Sequence, residues 1–317
     1  MRIGVLGNCQ VGGLAASLAA LAPRASILAV RLDAMRQHGG TAAENLDRLA
    51  GDLAACDVVF AQPVPPRFGP LSGEAFAARA RPVALPRMGF AGFHPDCCYV
   101  RDGTGALLRG GLDVYNSALL VGCFLEGIPP ARARRLFNAY AYASLGYFDV
   151  MAEELARLSA AWAALGFDLA AARAEAPAVF MLTTNHPRIG LLHGLARQAL
   201  ARAGLAASDA PPPEDELARS IVWPVYPEIA ERLGVEGGLG FQLSWRRRLD
   251  PEEMVRASFA AYAAAAAAPG IASSPQIERV RAFLRAEVLQ VVDPRPAATP
   301  RPGPGRRQRR VKAPGTP

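Results

Sequence analysis

Four short polar runs carry the residue types that acyl chemistry uses. Gly7-Asn8-Cys9-Gln10 offers a thiol flanked by amides, and Gln62-Pro63 a further amide. Phe93-His94-Pro95-Asp96 places an imidazole two residues from a carboxylate, and Thr183-Thr184-Asn185-His186-Pro187 supplies a second imidazole. A thiol at a helix start gains thiolate character, because unsatisfied N–H groups and the helix dipole favour negative charge there. Cys9 is therefore expected in the first turn of the first helix, as a nucleophile. Gln10 and the turn amides are candidate donors to a developing oxyanion. His94 and His186 each precede a proline, which biases them toward an extended turn. They are the candidate general bases, with Asp96 as the carboxylate that would orient an imidazole. Spacing alone leaves open which histidine acts.

Other chemistries fit less well. Gly7 and Gly12 have P-loop spacing, but Gly13-Leu14 stands where Lys-Ser/Thr is needed. Gly4 and Gly7 are one residue too far apart to open a dinucleotide fingerprint. His94, Asp96, Cys97, Cys98 and His186 are all metal-ligand types, yet their spacing matches no standard zinc arrangement, so no metal is expected. His38, beside Gly39-Gly40, reads as a solvated loop residue, and His193 as part of a helix. Arg87, Arg101 and Arg188 flank the histidine motifs and suit the phosphates of a nucleotide-bearing carrier.

The elements that must position these residues alternate over the first hundred positions. Strands are predicted at 2–6, 26–32, 57–61 and 82–85, with helices at about 9–21, 42–55 and 73–80 between them. Strands separated by helices imply a doubly wound, mostly parallel α/β sheet. In such a sheet ligands bind beyond the carboxyl ends of the strands, which is where the polar runs fall. After Tyr99 helices are predicted at 113–126, 130–139, 148–165, 189–203, 251–268 and 275–288. Residues 178–183 form a β-like run that would add a strand to the sheet. The expected organisation is one α/β unit over 1–290, with a βαβ sheet core to residue 100 and a helix-rich half packed on it.

Charge narrows the partners. The 317 residues carry 35 Lys and Arg against 28 Asp and Glu, a net charge of +7. Seven of the basic residues (Arg295, Arg301, Arg306, Arg307, Arg309, Arg310 and Lys312) lie in a Pro-, Gly- and Arg-rich tail. Without them the body has 28 basic and 28 acidic residues, so the basic balance does not describe a nucleic-acid-binding face. The tail, 294–317, is expected to be disordered, with at most weak contact to anionic surfaces. Five cysteines without paired spacing, and a strand pattern starting at Arg2, predict a reduced, cytoplasmic setting, peripheral to the inner membrane if the tail touches lipid.

The order and spacing of Gly7-Asn8-Cys9-Gln10, Gln62-Pro63-Val64, Phe93-His94-Pro95-Asp96 with Tyr99, and Asn185-His186-Pro187 resemble the WcbI family of polysaccharide biosynthesis proteins. Tyr115-Asn116-Ser117 with Gly127, and Val225-Tyr226-Pro227, fit the same pattern, which covers residues 1–235. The resemblance implies a coenzyme-A-dependent O-acetyltransferase acting on a sugar of capsular or surface polysaccharide. Its partners would be acyl-CoA and a sugar or polysaccharide precursor. It also implies a distant likeness to SGNH/GDSL hydrolases on a flavodoxin-like sheet, with Cys9 in the nucleophile position. The Asp-x-x-His pair of those hydrolases is missing, and Asn185-His186 stands in for it in part. Gly7, Asn8, Gln10, Gly12, Gln62, Asn185 and Arg188 are the expected contacts to coenzyme A. An esterase or thioesterase, and a non-catalytic module of a glycan-assembly complex, are the alternatives.

Overall fold

The computed structural model describes residues 1–32, 43–267 and 270–290. The loop around His38 and the tail at 294–317 lie outside the described residues. The first strand, β1 (Arg2–Gly7), runs parallel to β2 (Ser26–Arg31) and to β3 (Val58–Ala61), which pairs in parallel with the short β4 (Val83–Ala84). The strand order is β2-β1-β3-β4.

Helices cover both faces because β1 is apolar on both. Ile3 and Val5 face the first helix, α1 (Val11–Leu21), whose buried Val11, Leu14, Leu18 and Leu21 recur at helical spacing. Leu6, with Val30 and Val59, faces the other way, onto Leu46, Ala50 and Leu53 of α2 (Ala43–Ala54). A two-sided apolar strand is what a central parallel strand needs. The third helix, α3 (Gly73–Ala80), leads into β4.

The second half departs from expectation at several points, with helices at Ala139–Ser144, Leu169–Arg173 and Pro227–Leu233 that the pattern did not predict. Residues 115–117, predicted as helix, form strand β6 (Tyr115–Ser117), paired antiparallel with β5 (Cys97–Tyr99). The helix α4 (Ala118–Leu125) begins only after it, capped by Ser117, whose Oγ accepts the N–H of Leu120 at 3.1 Å. Cross-strand pairing overrode a helical period here. Residues 178–183 add no strand to the parallel sheet; Met181 makes a single antiparallel bridge to Pro187, folding the run back on itself. The sheet thus stays at four strands, and nine of the twelve α-helices among the described residues follow Ser117.

The longer of these are α7 (Val150–Ala164), α9 (Ile189–Arg202) and α11 (Pro251–Ala267), with α5 (Pro130–Arg135), α6 (Ala139–Ser144), α8 (Leu169–Arg173), α10 (Pro227–Leu233) and α12 (Pro275–Phe283) between and after them. A hairpin, β7 (Phe241–Ser244) and β8 (Arg247–Leu249), was not anticipated by pattern. One apolar core runs from Ile3 to Val288 and joins the sheet to this helical half. No helix among the described residues is long and apolar enough to cross a membrane.

Candidate active site around Cys9

The turn after β1 is built by its own amides. Val11 N–H donates to the Asn8 carbonyl at 3.1 Å, and Gln10 N–H to Asn8 Oδ1 at 3.0 Å. Asn8 thus forms an Asx-turn that presents Cys9. The thiol precedes Gln10, the N-cap of α1, so it lies just outside the first helical turn rather than within it. Gly7 is required by proximity: a Cβ there would collide with Gln62 Oε1. That oxygen accepts Asn8 N–H at 3.2 Å, and Gln62 Nε2 donates to Gln10 Oε1 at 2.6 Å.

Gln10 is fully buried and its donors are committed. Nε2 donates to the carbonyls of Met88 (2.7 Å) and Asn185 (2.9 Å). It therefore cannot double as an oxyanion donor without breaking one of these bonds. Its effect is to bind the loop after β4 and the loop before α9 to the Cys9 turn. Buried side-chain amides with every partner satisfied make such a junction rigid.

Asn185 then faces the thiol, with Nδ2 donating to Cys9 Sγ at 3.8 Å. Its orientation follows from its neighbours. Thr183 Oγ1 accepts the N–H of His186 at 3.1 Å and that of Asn185 at 3.4 Å, leaving its hydroxyl proton for Asn185 Oδ1 at 3.1 Å. Tyr115 OH donates to the same Oδ1 at 2.6 Å. With two hydroxyls on Oδ1, the NH₂ end must point at the sulfur. Tyr115 OH also lies 3.1 Å from His186 Nε2. Since the tyrosine proton is given to Asn185, that contact needs a proton on Nε2 and makes Nδ1 the basic nitrogen of neutral His186. Burial pushes the Tyr115 hydroxyl far up, so it stays protonated.

Cys9 lines a cavity of about 220 Å³ with Gly12 and Gly13 of α1, Arg31 at the end of β2, Ile189 and Leu192 of α9, and Asp215, Glu216, Leu217 and Ser220. Two helix N-termini converge there. That of α9 is satisfied by Asp215, whose Oδ2 accepts Ile189 N–H at 3.2 Å. That of α1 receives no side-chain cap from Gln10; the Asn8 carbonyl takes its Val11 N–H, and Gly12 and Gly13 of the same turn border the cavity. Gly13 allows α9 to approach, since a Cβ would meet Leu192 Cδ1 at 2.5 Å; Gly12 borders open space.

The structure does not bring every predicted residue to this point. His94 is buried, with ring nitrogens 3.2 Å from the Met181 carbonyl and 3.4 Å from that of Pro224. Burial pushes its pKa down to about 4, so at neutral pH it is an uncharged tie between loops. Asp96 holds no imidazole. Its carboxylate accepts from Ser117 Oγ, Leu119 N–H (2.9 Å), Tyr147 OH (2.9 Å) and Tyr226 OH (2.8 Å), anchoring the start of α4. Burial raises the Asp96 pKa, and those four donors oppose the rise. Arg188 donates from Nε to the Val179 carbonyl at 3.0 Å and lines a different cavity with Trp223. Arg101 donates to Gly105 O, and Arg87 is exposed. Among the described residues no group of three or more His, Cys, Asp and Glu side chains could hold a metal.

Residues absent from the candidate set also enter. Tyr115 and Thr183 orient Asn185, and Arg31, Asp215 and Glu216 charge the cavity wall. Tyr115 reaches the site because it pairs with Tyr99 across β5–β6, a register invisible to local pattern. Thr183 had a signal: a threonine two residues before Asn185 is placed to close a side-chain turn.

No curated protein and no solved structure matches the chain. The family model for the polysaccharide biosynthesis enzyme WcbI matches residues 2–208, a span that contains β1, the Cys9 turn, both histidine loops and α9. The chain therefore belongs to the WcbI family of polysaccharide biosynthesis enzymes.

Proposed function

We propose that the protein is a coenzyme-A-dependent O-acyltransferase that transfers an acyl group, acetyl in the simplest case, to a sugar hydroxyl of a polysaccharide precursor. The observation that carries this reading is the placement of Cys9 Sγ. Cys9 lines a cavity at the start of α1, and an amide N–H of Asn185 is directed at its sulfur. Such a donor stabilises sulfur more as thiolate than as thiol.

Acyl-CoA supplies the thioester. A cavity of about 220 Å³ has room for the acyl group and the adjoining end of the pantetheine arm, but not for the nucleotide, which would lie outside it. The Cys9 thiolate would attack the thioester carbonyl, forming a new C–S bond and expelling coenzyme A as its thiolate, with the dipole at the start of α1 offsetting the charge gained by the carbonyl oxygen. The acyl group would then pass from Cys9 to the sugar hydroxyl, whose proton needs a base. With His94 committed to Met181 and Pro224, we assign this role to His186, whose ring is held by Tyr115 beside Asn185. The parallel order β2-β1-β3-β4, with a nucleophile turn after β1, supports a flavodoxin- or SGNH-like kinship.

The test is incubation with acetyl-CoA followed by intact mass and peptide mapping. The expected result is an acetyl adduct on Cys9, absent in Cys9→Ser, and discharged when a sugar acceptor is added. A Cys9→Ser enzyme with full transferase activity would remove the covalent route. Thiol release indifferent to sugar would identify a thioesterase instead.

A further inference from the structure

The hairpin β7–β8 carries an aromatic, cationic tip at the edge of the Cys9 cavity. Trp245 is 64% exposed, whereas Trp162 and Trp223, the other two tryptophans of the chain, are buried. Three arginines follow it, Arg246, Arg247 and Arg248, all exposed. The Arg246 guanidinium lies 4.4 Å from the Trp245 ring centroid, so it covers one face of the indole. Arg247 is paired with Glu253 at 3.1 Å. Trp245 and the guanidinium groups beside it together form one exposed patch that joins an apolar ring face to a preference for negative charge.

The tip is tied to the wall of the cavity. The backbone N–H of Trp245 donates to the Arg219 carbonyl at 2.8 Å, and Gln242 Nε2 donates to the carbonyls of Ala218 (2.7 Å) and Ser220 (2.8 Å). Gln242 also exchanges both backbone bonds with Val222 at 3.0 Å. Glu216, Leu217 and Ser220 of this same segment line the cavity beside Cys9. The hairpin lies beyond residue 208, outside the residues that the family model matches.

We infer that the Trp245–Arg248 tip is the docking site for the acceptor glycan, and that this glycan is acidic, carrying uronate carboxylates. This rests on the reading of the protein as a sugar acyltransferase. The apolar C–H face of a pyranose ring stacks on the indole, while the carboxylate meets a guanidinium fork in bidentate fashion. A platform fastened to residues 216–220 holds the bound sugar chain next to the thiol, so a hydroxyl one or two rings away can reach it. A membrane surface would also accept tryptophan and arginine, but the hydrogen bonds joining the tip to the cavity wall favour a ligand shared with Cys9.

The test is calorimetric titration of the full-length protein with a galacturonate hexasaccharide, a hyaluronan hexasaccharide and the neutral maltohexaose. The acidic sugars are expected to bind, weakening with added salt, and to shift the fluorescence of Trp245. Trp245→Ala should lower that affinity about tenfold or more, Arg246→Gln and Arg248→Gln each severalfold, and Trp245→Phe least. Coenzyme A binding, read as thermal stabilisation, should be unchanged in all four variants. Loss of acidic-sugar binding with coenzyme A binding retained supports the site. Trp245→Ala binding the acidic sugars like the wild type, no binding of either acidic sugar, or equal binding of maltohexaose would overturn it. Binding to phosphatidylglycerol vesicles that needs Trp245, without binding to sugar, would replace it with a membrane contact. If the sugars bind as expected but no acyl transfer occurs, the transferase reading fails and the docking site stands.

Discussion

Asn185 reaches Cys9 across 176 residues of sequence, its Nδ2 lying 3.8 Å from the sulfur. Tyr115 and Thr183 hold Oδ1 and so keep that nitrogen turned to the thiol. Asn185→Ala should slow alkylation of Cys9 by iodoacetamide at pH 7 and lower activity by roughly tenfold to a hundredfold, the range expected when a positioned donor is lost. Asn185→Asp should slow alkylation further, because a carboxylate beside sulfur opposes thiolate formation. Faster alkylation in Asn185→Asp would show that the amide does not set thiol reactivity.

Gln10 is the joint between three loops. Replacing it with Ala strands the Met88 and Asn185 carbonyls and the Gln62 amide, all in a buried setting. The expected cost is about 2–4 kcal/mol, measured by urea denaturation, with a fall in activity through displaced Asn185. Gly7→Ala should act similarly by pushing Gln62 away, even though Gly7 contributes no side chain.

Asp96 separates a structural role from a chemical one. Asp96→Ala leaves three hydroxyls and the Leu119 N–H without their acceptor and should destabilise by about 3–5 kcal/mol. Asp96→Asn should be much milder, since the hydroxyls of Ser117 and Tyr226 can turn to accept from the new amide. If Asp96 instead served catalysis, Asp96→Asn would abolish activity while sparing stability.

His94 predicts an acid-side loss of stability. The unfolded chain takes up a proton near pH 6.5, whereas the folded chain keeps this ring neutral until about pH 4. Between those values the unfolded state binds more protons, so stability rises with pH across the window and falls as acid is added. The full drop is about 3 kcal/mol. Asp96, with its raised pKa, contributes in the opposite sense, so the contribution of His94 is isolated by comparison with His94→Gln. The melting temperature of the wild type relative to that of His94→Gln should fall as pH drops from 6.5 to 4, narrowing or reversing any lead it has at neutral pH. Parallel curves would mean that His94 titrates normally.

Periodicity along the chain was enough to read the βαβ half. Residues such as Ile3, Val5 and Leu6, and the leucines of α1 and α2, bury by nearest-neighbour rules of spacing, so local pattern determines them. The same reasoning put Cys9 and Gln62 at strand ends, because a parallel sheet sends its loops there. What tertiary structure alone decided was which polar groups meet. The Gln10 amide looked like an oxyanion donor until Met88 and Asn185 arrived to take both its protons. Asp96 looked like a partner for His94 until Ser117, Tyr147 and Tyr226 closed around it. Hydrogen-bond capacity is a property of a residue, but how that capacity is spent depends on partners up to 176 positions away, and these come together only on folding.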